Sequence, residues 1–339
     1  MVGYSGSKEN KLFVIFLVLA VLVGGLMLLW GQYNSAQQVF EIGFLSYRVE
    51  EQLANDDAYI FSEDDAVKYN EMLNLANEWK QNVSGIEKNC TSTTVANVFG
   101  EFATENLRYT LYDNGSDTTV FLLHGYNENV EDASVFAPYW WDKGYNIIIP
   151  SLERPKGEGA SLVTFGVYEQ YDIYDIICCE ELLDSKVILH GRGTGAAAAL
   201  LISSRADYNC GIDMVVSDSV YATLNGLKIE QLKAQFNLGE FLTGTMLSNI
   251  VEKQLGFDIS TIEITKAAAA SNIPKFFVCG GADNFISKNE TYAVYTEASG
   301  AKALLTVEDG ANRMVYTASY FGNGEYTAKL DEFIAENLK

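Results

Sequence analysis

At 339 residues the chain is long enough for one large domain and an accessory segment, and its 48% apolar content can fill a sizeable core, which excludes global disorder. A formal net charge of −22 excludes nucleic-acid binding through a basic face, because phosphate contacts need clustered Lys and Arg. The same acidity keeps the folded part off anionic lipid and implies a solvated surface.

Residues 1–11 form a short tail carrying Lys8 and Lys11. Residues 12–31, opening with LFVIFLVLAVLVGGLMLLW, carry no charge and are long enough to cross a bilayer as a helix. A cleaved signal peptide would have a shorter apolar stretch and a small-residue cleavage site, and only a weak one stands at Ser35-Ala36. An uncleaved transmembrane signal anchor is therefore expected, with the membrane as a partner through residues 12–31. The positive-inside rule then leaves the tail in the cytoplasm and residues 32–339 outside the cell.

Residues 32–95 read as a helical membrane-proximal stalk and linker. One helix is expected near 36–54, with Val39, Phe40, Phe44 and Leu45 at helical spacing. A second starts at SEDDAVKYNEML, with Ser62 as N-cap and Asp65 three residues on. The stretch NVSGIEKNCTSTT then reads as a polar linker. Asn82, Asn89, Asn114 and Asn289 each open an N-x-S/T triplet, which matters only in a host that glycosylates secreted proteins.

From residue 96 strands and helices alternate. NLRYTLYDN alternates in polarity, whereas TTVFLLHG, YNIIIPS, KVILHG, IDMVVSDS, KFFVCGG and KALLTVED are the near-continuous apolar runs of buried parallel strands. Helical stretches fall near 132–143, 166–183, 194–205, 288–298 and 325–338. The pattern predicts an α/β fold with a mostly parallel sheet covered on both faces. Residues 222–266 break the rhythm with amphipathic sequence and read as a helical lid over the carboxyl ends of the strands.

Cys90, Cys178, Cys179, Cys210 and Cys279 lack metal-type spacing, and no pairing follows from it. An odd count outside the cell leaves at least one free thiol or an intermolecular bridge, and Cys279, in an apolar run, reads as buried and free. The acid clusters ANDDAY and EDDA lack the spacing of a calcium loop, so no metal or cofactor is expected. Trp140 and Trp141 read as core and lid packing.

The run VILHGRGTGAAAALLISS, residues 187–204, fits two devices. Gly191, Gly193 and Ala196 satisfy the dinucleotide pattern G-x-G-x-x-A, with Asp218 at the next strand end placed to take a ribose hydroxyl. Gly191-Arg192-Gly193-Thr194-Gly195 also has the layout of a nucleophile elbow.

LLHGYNEN, EGASLVTFGVYEQYDIYDI, HGRGTGAAAAL, GGADNFIS and VEDGANRM occur in the order, and at the strand ends, where residues 96–339 resemble the α/β-hydrolase superfamily, in its bacterial peptidase and esterase branch. The resemblance implies that fold and assigns roles by position. The nucleophile falls on Gly193, the acid on Asp283 and the base on Asn312, while Tyr126, Asn127 and Thr194 fall at the oxyanion hole and ligand pocket. Glycine has no attacking atom, and an amide takes no proton near neutral pH. The chain has two histidines, His124 and His190, each in an HG pair at a strand end, so no shifted motif restores the base. The expectation is a catalytically inactive relative acting as a binding or scaffold module for a small ligand or protein. A hydrolase with a non-standard nucleophile and a nucleotide binder at Gly191–Ala196 are the alternatives.

Overall fold

Strands whose two faces are both apolar must be covered on both sides, and the arrangement obeys this. The computed structural model describes residues 6–47, 63–99, 106–155, 160–208, 211–227, 240–311 and 314–338. Eight strands form the main sheet: β1 (Ile86–Thr91), β2 (Asn106–Tyr112), β3 (Thr118–Leu123), β4 (Asn146–Pro150), β5 (Lys186–Arg192), β6 (Ile212–Asp218), β7 (Lys275–Gly280) and β8 (Lys302–Val307). Their spatial order is β8-β7-β6-β5-β3-β4-β2-β1. β3 through β8 run parallel, while β2 pairs antiparallel with β4 and β1 with β2.

The helices used below are α1 (Gly6–Phe44), α2 (Glu63–Asn82), α3 (Glu169–Cys179), α4 (Thr194–Ser203), α5 (Glu240–Leu255), α6 (Ile264–Ala270), α7 (Lys288–Glu297), α8 (Val315–Phe321) and α9 (Glu325–Asn337). Alternate strand residues feed two cores. Phe121, Leu123, Leu189, Val215 and Phe277 meet α3, α4 and α7 on one face. Val120, Leu122, Ile188, Val216 and Phe276 meet α2, α8 and α9 on the other.

The N-terminal part departs from the expected stalk. α1 is one helix from Gly6 to Phe44 and holds a stretch, Val18–Gln38, long and apolar enough to cross a membrane. Toward its C-terminal end the helix does not stand off the domain. Ala36, Phe40 and Phe44 are fully buried in the first core, and α1 lies along α5 of the lid. Residues 45–47, expected to be helical, form a short strand against Ala160–Leu162, which pairs in turn with Arg154–Pro155. α2 also packs onto the domain: Tyr69, Met72 and Ala76 are buried, and Trp79 packs tilted against Tyr112 and edge-on against Trp141. The N-cap expected at Ser62 lies outside the described residues.

The expected polar linker contains β1. Only Cys90 of its six residues is buried, so its sequence shows no apolar alternation. A disulfide joins Cys90 to Cys179 at the end of α3, while Cys178 is half-buried and free and Cys279 is buried and free. Cys210 lies outside the described residues. In the lid, α5 buries Leu247, Val251 and Leu255, and a 3-10 turn at Ile259–Thr261 leads toward α6.

Candidate functional site

At the turn from β5 into α4, Gly193 has φ +54° and ψ −111°, a conformation that side-chain-bearing residues adopt only under strain. Its N–H donates to the Asp218 carbonyl at 2.8 Å and its carbonyl accepts from Ala197, so the helix starts without slack. The flanking glycines serve another purpose. A Cβ on Gly191 would come within 2.4 Å of the Gly195 backbone, and one on Gly195 within 2.4 Å of the Leu123 carbonyl. A Cβ on Gly193 would meet only Gly125 Cα at 3.8 Å and Ile286 Cδ1 at 3.9 Å. The apex therefore has room for a side chain and carries none.

Gly193 lines a small cleft at the carboxyl ends of the parallel strands. Tyr126, Thr194 and Asp283 line it with Gly193. Asn127, assigned to the same pocket, is not among the lining residues; it sits just beyond, in a left-handed conformation. Asn312, the base position, lies outside the described residues. Asp283 is 8% exposed, and its Oδ1 accepts the N–H groups of Phe285 and Ile286 at 2.8 and 2.9 Å, which folds the turn after β7.

The cleft has an aromatic wall that no motif announced. Tyr126 stacks on Phe165 at 5.2 Å and lies parallel to Phe285 at 6.3 Å. Phe165, itself left-handed at φ +56°, meets Phe44 of α1 edge-on at 5.2 Å. Its carbonyl accepts from the Tyr221 hydroxyl. Glu169 holds this loop by accepting from the Thr164 and Gly166 N–H groups.

Arg192, between two glycines of the elbow, is buried and pairs with Glu128 at 2.9 Å. Burial opposes its charge, but Glu128 and the neighbouring acids outweigh it and hold Arg192 protonated. The second Glu128 oxygen accepts from Gly125 N–H at 2.6 Å. Tyr69 of α2 donates to Asp132 behind this pair, which ties α2 to the back of the site.

Both histidines are buried with both ring nitrogens engaged. His124 Nε2 accepts the Leu152 N–H at 3.0 Å, so Nδ1 carries the proton and donates to the Gly125 carbonyl at 3.1 Å. His190 Nδ1 accepts from the Trp140 indole at 2.9 Å, so Nε2 donates to the Tyr326 hydroxyl at 3.0 Å. Burial, with the nearby Arg192 charge, lowers the His190 pKa to about 3 and keeps it neutral. The Tyr326 hydroxyl continues the chain to Asp218 Oδ2 at 3.3 Å.

Asp218 is fully buried, and burial raises its pKa to about 7 against the lowering effect of Arg192. Its carboxylate faces Ser219 and Tyr326, so it does not present itself to a ribose, and the nucleotide alternative loses its acid. Ser219, at the mouth of β6, lines the cleft in a left-handed conformation, φ +53°. Sequence reading passed over it because its signal is conformational, and SDS reads as an ordinary strand end.

No family model matches the chain. Residues of the chain are 24% identical over 234 positions to the Bacillus subtilis (strain 168) protein YqkD, named as uncharacterized, across 67% of this chain and 74% of that one. Among solved structures it is similar to the Pyrococcus furiosus esterase Pf2001, with TM-score 0.55 and 20% identity over 76% of this chain and 94% of the esterase. Est1E from Butyrivibrio proteoclasticus gives TM-score 0.52 and 12% identity over 74% and 99%. Rv0554 from Mycobacterium tuberculosis gives 0.51 and 13% over 74% and 99%. With that strand order, an elbow after β5 and an acid turn after β7, the chain has the α/β-hydrolase fold.

Proposed function

We propose that this protein is a membrane-tethered hydrolase-fold receptor, whose cleft holds a small ligand without turning it over. One observation carries the reading: the elbow apex is a glycine with open space before it, while both histidines are buried with both ring nitrogens engaged. Loss of the nucleophile or base of a triad removes on the order of a million-fold in rate, leaving about a thousand-fold over water from the oxyanion donors and binding. Such a site still binds. Its aromatic wall suits an apolar body, and the Thr194 end of α4 suits a polar group.

The domain is anchored by α1 and faces the outside. Lys8 and Lys11 precede the apolar stretch, α1 continues unbroken from it into the core, and the Cys90–Cys179 bridge fits an oxidising compartment.

The test is an ester assay on the full-length protein in detergent. With p-nitrophenyl esters, release of p-nitrophenol stops at or below one equivalent per chain. The double variant Gly193→Ser/Asn312→His gains steady turnover, because the cleft has room for the serine and Asp283 stands in its wall. Sustained turnover by the parent protein sinks the reading. A folded double variant no more active than its parent shows a cleft unsuited to the triad.

A further inference from the structure

The chemistry missing at the end of β5 has a counterpart at the end of β6. Ser219 lines the same cleft as Gly193, and its Oγ donates to Asp218 Oδ1 at 3.0 Å. That carboxylate is held on its other side by the Tyr326 hydroxyl, which His190 and Trp140 fix in turn. A hydroxyl, a carboxylate within hydrogen-bond reach and a third group orienting it are the three parts of an activated nucleophile. A left-handed serine carries backbone strain that glycine would avoid, and strain of this kind persists where function uses it.

We propose that Ser219 is a displaced nucleophile, taking an acyl group from an activated carboxylic ester in the cleft with Asp218 as its base. Ser219 Oγ bonds to the ester carbonyl carbon as its proton passes to the Asp218 carboxylate. The tetrahedral adduct collapses, the ester C–O bond breaks, and the departing alkoxide takes that proton. The products are acyl-Ser219 and one alcohol, with no redox change. The acyl group then stays. Asp218 stands behind Ser219 with no exposed surface, and the carboxylates that line the cleft, Glu128 and Asp283, are bound to Arg192 and to backbone N–H groups. The inference rests on the receptor reading and makes the holding covalent.

The experiment incubates full-length protein with p-nitrophenyl butyrate and follows intact mass, peptide mapping and p-nitrophenol release together. The expected result is one butyryl group per chain on Ser219. Ser219→Gly, which suits the left-handed backbone and keeps the fold, abolishes it. Asp218→Asn slows it by about 10²–10⁴-fold, the usual loss on removing a general base. No adduct with no sustained release overturns the role of Ser219 and leaves the receptor reading standing. An adduct on another residue, or one surviving Ser219→Gly, also overturns it. Sustained release abolished by Ser219→Gly upholds Ser219 as nucleophile but overturns the holding. Sustained release indifferent to Ser219→Gly overturns both.

Discussion

Asp218 gives the site a pH signature that can be measured without any ligand. Burial keeps its carboxyl protonated up to about 7 in the folded protein, against an ordinary value of 3.8. Between those values the folded chain binds the extra proton, so this contribution to stability is present below 3.8 and is lost as pH rises through 7. His190 acts with the opposite sign. Its folded value of about 3 lies below the ordinary 6.5, so its contribution is present above 6.5 and is lost as pH falls toward 3. Asp218→Asn removes only the first effect and keeps an oxygen acceptor for one of the two hydroxyls, Ser219 or Tyr326. In urea unfolding from pH 4 to 7, the stability of the variant relative to its parent should rise with pH, by roughly a few kcal/mol at most. A constant difference across that window would show that Asp218 is ionised at neutral pH.

Phe44, the last residue of α1, reaches the back of the cleft wall. It is fully buried, stacks on Phe40 at 5.4 Å and touches the cleft-lining Phe165. Phe44→Ala should lower stability by about 3–5 kcal/mol, the usual cost of emptying a buried aromatic site. It should also weaken binding of apolar probes in the cleft, read by unfolding midpoint and probe fluorescence; an unchanged midpoint would place α1 outside the core. This joint was hidden in the sequence because Phe40 and Phe44 keep a helical spacing equally suited to a free stalk. β1 was hidden for the opposite reason, since IEKNCT buries only Cys90. The inner strands were legible because both of their faces are apolar, and the elbow was legible because close approach dictates Gly191 and Gly195. Gly193 and the histidine count raised the expectation of a lost triad, whereas Ser219 is marked by a backbone angle that no residue pattern encodes.

Across the whole molecule, the bridge from Cys90 to Cys179 ties the edge strand β1 to the end of α3 over a sequence separation of 89. Closing so long a loop restricts the unfolded chain, and Cys90→Ser should lower stability by about 2–5 kcal/mol. Thermal unfolding with and without reductant checks it: reductant should lower the midpoint of the parent and leave that of the variant unchanged. The long helix α1 sets a different constraint. A domain hung on a slack linker sweeps a wide volume above its anchor. Here the polypeptide passes from the apolar stretch to Phe44, beside the cleft wall, as one helix, so the cleft keeps a set distance and a set bearing from that stretch.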